Sequence, residues 1–221
     1  MKLAVLFSGG KDSMYATYLA KRTEHDIKCL IVLNSENKNS YMFHTPSIEK
    51  TKFQAERMGI PLITVNTKGE KEEELEDLNR AIKEAIKKYG IEGVVTGAVE
   101  SVYQATRVQK ICNDLALSCF NPLWQKDQIE LLEDLIKNKF HVIISGVFAY
   151  PLDESWIGKK IDFNFIREVK KLQKEYKINV AGEGGEFESF VVNCPLFDKK
   201  IKIKEIKTTG EKNSFWGEMI I

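Results

Sequence analysis

The chain begins with a short unbroken apolar run, Leu3-Ala4-Val5-Leu6-Phe7, which stops at Ser8-Gly9-Gly10. Such a run suits a strand covered on both faces, as parallel strands are. Ser13 to Arg22 then reads as a helix, Ile27 to Leu33 as a second strand, and Ile48 to Met58 as a second helix closed by Gly59. Pro61 to Val65 predicts a third strand. From Glu70 to Tyr89, apolar residues recur at Leu75, Leu78, Ile82, Ala85, Ile86 and Tyr89 and stack into one helical face. The acidic start and the Lys87-Lys88 end suit the helix dipole, and Gly90 supplies the stop. Val94 to Gly97 is a fourth strand. The helix after it, Ser101 to Leu117, turns Val102, Ala105, Val108, Cys112 and Leu115 inward and Tyr103, Gln104, Arg107, Lys110 and Asp114 outward. Cys119 to Trp124 predicts a fifth strand. Strand–helix alternation of this kind argues for βαβ units and a doubly wound α/β sheet.

The pattern loosens near Lys126, which divides the chain into 1–126 and a smaller C-terminal α/β domain, 127–221. There, Ile129 to Asn138 reads as a helix, Val142 to Ala149 as a strand and Phe165 to Tyr176 as a helix. The β-like stretches Phe190 to Cys194 and Lys200 to Ile206 precede a last strand ending at Ile221. Ile201-Lys202-Ile203-Lys204 alternates as a half-exposed antiparallel strand does.

Composition narrows the function classes. Lys and Arg number 33 against 32 Asp and Glu, so no basic excess predicts a stable nucleic-acid partner. No apolar run approaches the roughly 18–20 residues that span a bilayer, so no membrane is expected. The cysteines, Cys29, Cys112, Cys119 and Cys194, form no CxxC pair. Reduced, buried thiols in a cytoplasmic protein are the expectation, with Cys194 at a strand end. A homo-oligomer stays open.

The loop Ser8-Gly9-Gly10-Lys11-Asp12-Ser13 carries the first chemistry. Glycines let backbone N–H groups approach a phosphate, and a following helix N-terminus adds positive potential. Ser8 and Ser13 add hydroxyl donors and Lys11 a charge, while Asp12 either helps to hold Mg²⁺ or caps the helix. It is neither GxxxxGK[ST] nor GxGxxG. The bland alternative is a capped strand-to-helix turn.

This hexapeptide resembles the PP-loop of the ATP pyrophosphatase superfamily. The resemblance implies a HUP-like doubly wound sheet with ATP at the carboxyl ends of its strands, cleaved between the α- and β-phosphates through an adenylated intermediate. Further segments follow in order: Tyr41-Met42-Phe43-His44-Thr45, Tyr103-Gln104 with Arg107, Pro122-Leu123-Trp124, Leu152 to Gly158, and Gly182-Glu183-Gly184-Gly185-Glu186-Phe187-Glu188-Ser189. Together they resemble the diphthine–ammonia ligase family over nearly the whole chain. That resemblance implies ATP, ammonium and, as protein substrate, translation elongation factor 2, whose diphthine carboxylate becomes an amide with release of AMP and pyrophosphate. Adenylation of another acceptor, a small acid or an RNA base, is one alternative; a non-catalytic nucleotide sensor is another.

On this reading Lys11 and the loop amides meet developing negative charge, with Gly97 beside them on the nucleotide side. Arg107 is a candidate for the substrate carboxylate or the α-phosphate, against a surface helix position. Clustered Glu183, Glu186 and Glu188 repel one another unless a cation sits among them, whether Mg²⁺, ammonium or the cationic group of the substrate. Glu183 or Glu186 is the candidate base toward ammonium, with Glu188 on the substrate side. Diphthine also carries a trimethylammonium group, which aromatic faces hold well. Tyr103, Gln104, Trp124 and Trp156 are candidates for the substrate side, with Phe187 near them, against ordinary core packing. His44 is given no role.

Overall fold

In the computed structural model, residues 1–35, 50–68 and 71–221 are described. The segment Tyr41 to Thr45, the predicted helix start at Ile48 and Glu70 lie outside them. Five parallel strands, β1 (Lys2–Leu6), β2 (Asp26–Ser35), β3 (Leu62–Thr67), β4 (Gly93–Val95) and β5 (Ser118–Phe120), form one sheet in the order β3-β2-β1-β4-β5. Along β1, Leu3, Val5 and the following Phe7 enter one core, while Ala4 and Leu6 enter the other. Both faces of the strand are therefore covered, and its sequence is an unbroken apolar run for that reason.

Helices α1 (Lys11–Arg22) and α2 (Thr51–Met58) pack on one face through Met14, Tyr15, Ala20, Ala55 and Met58. Helices α3 (Lys71–Tyr89) and α4 (Val102–Asp114) cover the other through Leu78, Ala81, Ile82, Ala85, Val108 and Cys112. The sheet is doubly wound. Gly59 and Gly90 end their helices with φ of 63° and 62°, the left-handed conformation that the stop signals predict. Because the strand order reverses direction between β1 and β4, the loops after these strands diverge and leave a crevice at their carboxyl ends.

The second sheet is antiparallel and smaller, in the order β7-β6-β9-β8, from β6 (His141–Val147), β7 (Phe187–Asn193), β8 (Glu205–Glu211) and β9 (Ser214–Ile220). Helices α5 (Gln128–Lys137) and α6 (Phe163–Tyr176) cover it. Their Leu131, Leu132, Leu135, Phe165 and Val169 share one core with Val142, Ile144, Phe187 and Val191 of this sheet, and with Leu3, Val5 and Met14 of the first half. Lys126 falls in the loop between β5 and α5. The sheets are separate, but the core between them is continuous.

Some elements depart from the sequence pattern. The alternation at Ile201 to Lys204 is real in burial but does not make a strand. The Ile201 N–H bonds Val192 and the Lys204 N–H bonds Ile220, so two different strands each take one bond and no ladder forms. The strand starts only at Glu205. The predicted fifth strand to Trp124 stops at Phe120, because Pro122 offers no N–H and the chain turns, with Trp124 N–H bonding the Asn121 carbonyl. Val102, expected inward, is 62% exposed at the first turn of α4. Of the four free cysteines, all but Cys119 are buried. Among the described residues no helix is long and apolar enough to cross a membrane.

Candidate active site

The loop Ser8 to Ser13 occupies the switch-point crevice between β1 and β4. Gly10 is the N-cap of α1, and no side chain caps it, so the helix start presents N–H groups as an anion site does. Ser13 Oγ ties the turn together, accepting from the Ser8 N–H at 3.2 Å and lying 3.2 Å from Ser8 Oγ. Two glycines are dictated by space. A Cβ on Gly97 would lie 2.7 Å from the Ser13 nitrogen, so only glycine lets β4 run this close to α1. Gly9 has φ 79°, and a Cβ there would meet Gln54 Oε1 at 2.4 Å.

The C-terminal half holds this loop directly. The Val191 N–H of β7 bonds the Gly9 carbonyl at 3.2 Å, and the Lys11 N–H donates to Ser189 Oγ at 3.1 Å. Fully buried Gln54, on α2, donates through Nε2 to both the Gly9 carbonyl (2.9 Å) and the Val191 carbonyl (2.8 Å). The phosphate-type loop is thus laid along the edge of β7, and the glycine-rich stretch that leads into β7 is brought to it.

The carboxylates divide by role. Lys11 Nζ lies 2.8 Å from Asp12 Oδ2, 3.7 Å from Glu183 Oε1 and 5.8 Å from the centre of the Phe187 ring. Burial alone would pull its ammonium down, but the charges of Asp12 and Glu183 hold it above its ordinary value. Glu183 is pushed up to about 7, first by burial and then by the Asp12 charge, with Lys11 opposing. Glu186 faces elsewhere. Its Oε1 accepts from the Asn179 N–H (2.7 Å) and Nδ2 (2.9 Å), and its Oε2 from the Gly184 N–H (2.9 Å), so it holds the glycine-rich turn in shape. Gln128 ties that turn to the segment after β4, accepting from the Ala181 N–H and donating to Asn179 and Glu100.

Asp12 spends Oδ2 on Lys11, while its Oδ1 is buried without a hydrogen-bond partner. One free carboxylate oxygen beside a phosphate loop fits Mg²⁺, which takes one or two carboxylates and completes its shell with phosphate and water. Among the described residues no group of three or more His, Cys, Asp or Glu forms a protein-only metal cage.

On α4, Ser101 caps the helix by accepting the Gln104 N–H. The Arg107 guanidinium lies 3.4 Å from the centre of the Tyr103 ring, so these two and half-buried Gln104 share one face. Trp124 follows β5 and is 36% exposed. Trp156 is 8% exposed in the main core, edge-on to Phe165, with Lys159 Nζ 4.1 Å over its ring. Both of its surfaces are taken. Gln54, Ser189 and Gln128 are structural members of the site that sequence reasoning gave no role: Gln54 and Gln128 read as surface helix positions, and Ser189 as the end of the glycine-rich segment.

A strand, a glycine loop and an uncapped helix at a topological switch point define a nucleotide-binding α/β protein of the PP-loop type. Comparison with known proteins narrows this. The family model for the diphthamide synthase N-terminal domain matches residues 1–119, and that for its C-terminal domain matches residues 127–220. Diphthine–ammonia ligase of Bos taurus is 35% identical over 220 residues, covering 91% of this chain and 82% of its own length. The Homo sapiens enzyme of the same name is 34% identical over 220 residues, covering 91% and 82%. That of Saccharomyces cerevisiae is 31% identical over 232 residues, covering 89% of this chain and 33% of its own length. The chain belongs to the diphthamide synthase family, and with it to the carbon–nitrogen ligases.

Proposed function

We propose that the protein converts the carboxylate of diphthine on translation elongation factor 2 into an amide, using ATP, Mg²⁺ and ammonium and releasing AMP and pyrophosphate. A carboxylate is a poor acyl donor because its leaving group would be oxide. Transfer of AMP to it gives an acyl-adenylate with a good leaving group. The observation that carries this reading is the docking of the phosphate-type loop against β7, with Lys11 Nζ between Asp12 and Glu183. Activation and amide formation then share one place.

Lys11 and the N–H groups at the start of α1 face the charge that develops on phosphate; one such donor is worth roughly 2.7–4 kcal/mol. Mg²⁺ would be held by Asp12, whose Oδ1 is buried without a partner, and would supply charge neutralisation of the polyphosphate. Glu183, held near neutrality, accepts a proton once nitrogen has attacked. Glu186 keeps the turn that presents Glu183. Arg107, stacked on Tyr103, is the candidate to meet the substrate carboxylate or the α-phosphate.

The test supplies ATP, Mg²⁺, ammonium and diphthine-bearing elongation factor 2 to the purified protein. Amidated factor should appear in step with AMP and pyrophosphate. Formation of ADP, or nucleotide turnover that ignores the protein substrate, removes the reading.

A further inference from the structure

Helix α6 carries a row of cations that its own helix does not pair. Phe165, Ile166 and Val169 form its core side. Arg167, Lys170, Lys171 and Lys174, three and four residues apart, lie along the opposite side, and Lys177 follows at the C-cap; all five are exposed. Among the described residues none of the five forms a salt bridge. Of the two acids on α6, Glu168 is drawn to Lys159 and Glu175 is left among the cations. Other helices use the same spacing to pair charge, Lys110 with Asp114, Lys137 with Glu133 and Arg80 with Asp77. Like charges at this spacing destabilise a helix. The helix dipole accounts for Lys174 and Lys177 at the carboxyl end, but not for Arg167, Lys170 and Lys171.

An exposed aromatic pair stands at the same end of the helix. Tyr150, 63% exposed, and Tyr176, 37% exposed, meet edge to face with ring centres 5.3 Å apart. Exposed tyrosines beside basic side chains are what interfaces use as anchors. Glu186 ties both tyrosines to the turn that presents Glu183. Its carbonyl accepts from the Phe148 N–H at 2.8 Å, two residues before Tyr150, and its carboxylate from the Asn179 N–H at 2.7 Å, three residues after Tyr176. Helix α6 also packs on the face of β7 that looks toward the loop: the Phe165 ring lies 5.7 Å from the Phe187 ring, which lies 5.8 Å from Lys11 Nζ.

We propose that the outer side of α6 and the Tyr150–Tyr176 pair dock the protein substrate, which meets them with an acidic surface segment; this rests on the amidation reading above. Only one side chain of a protein substrate enters the crevice, so the rest of that protein needs a contact outside it. The cations attract an acidic surface from a distance and the tyrosines anchor it beside the turn. RNA phosphates would also be drawn to the cations; the tie to the Glu186 turn favours the protein substrate.

The experiment measures amide formation by the full chain against the concentration of diphthine-bearing elongation factor 2. The combined change Lys170→Glu, Lys171→Glu and Lys174→Glu should raise the KM for the factor about tenfold or more, with kcat and the KM for ATP at the wild-type level. Added salt should raise the wild-type KM and move that of the variant little. Tyr150→Ala should raise the same KM while keeping the salt dependence. A control with equal change of net charge, Lys83→Glu, Lys87→Glu and Lys88→Glu on α3, should keep the wild-type KM. An unchanged KM in the α6 variant, or an equal rise in the α3 variant, overturns the proposal while the amidation reading stands. So does an α6 variant that loses retention of RNA but keeps its KM for the factor. A wild-type protein that amidates nothing removes both.

Discussion

At the residue scale, the decisive contrast is between side chains that look alike in sequence. Glu183 and Glu186 are three residues apart on the same glycine-rich stretch, yet one faces Lys11 and the other is consumed by three N–H donors. Glu183→Gln should therefore slow amide formation while leaving the loop folded, whereas Glu186→Gln should loosen the turn itself. The tryptophans divide in the same way. Trp156→Ala removes a core residue and should cost about 3–5 kcal/mol of stability in urea unfolding. Trp124→Ala should leave stability nearly unchanged and raise the KM for the protein substrate. If Trp156→Ala kept full stability and lost only substrate affinity, its placement in the core would be wrong. Nothing in the one-letter pattern separates these pairs, because burial depends on which elements meet, and the second sheet meets the first only in three dimensions.

At the element scale, the loop after β1 works because three neighbours hold it: β4 through Gly97, α2 through Gln54, and β7 through Ser189 and Val191. Gly97→Ala would drive a methyl into the Ser13 backbone and displace the start of α1. A shift on the order of an ångström at a reacting centre costs roughly 10²-fold, so kcat/KM for ATP should fall by about that factor. A titration showing undiminished ATP binding and turnover in that variant would contradict the close approach. The strands and helices of the first half are legible in sequence because strands covered on both faces carry continuous apolar runs, and Gly59 and Gly90 mark helix ends. The stretch from Ile201 to Lys204 was not, since its alternation in burial comes from packing under the second sheet without a partner strand. The grouping of Ser8 to Ser13 could be read, whereas the support from Gln54 and Gln128 could not, being long-range hydrogen bonds.

At the scale of the whole molecule, one core joins both sheets, so unfolding should be a single transition. Its pH dependence follows from the buried carboxyls. Glu183 and Glu188 are raised to about 7 and about 8, above the ordinary 4.5 of the unfolded chain. Between these values the folded state binds more protons than the unfolded one. The stability they contribute is fully present below pH 4.5 and is lost as pH rises through 7 and 8. Urea midpoints for the free protein should therefore fall from pH 5 toward pH 8, and Glu188→Gln should flatten part of that slope. A midpoint that climbs over this range, with the variant parallel to wild type, would show that these carboxyls are not held protonated.

Pyrophosphate–ATP exchange without ammonium tests most directly whether the loop docked on β7 activates a carboxylate. With diphthine-bearing elongation factor 2 present, labelled pyrophosphate should enter ATP, and it should not do so when that protein is omitted or Lys11 is replaced by Met. Exchange that proceeds without the protein substrate, or its absence alongside steady release of ADP, would contradict adenylation at this site.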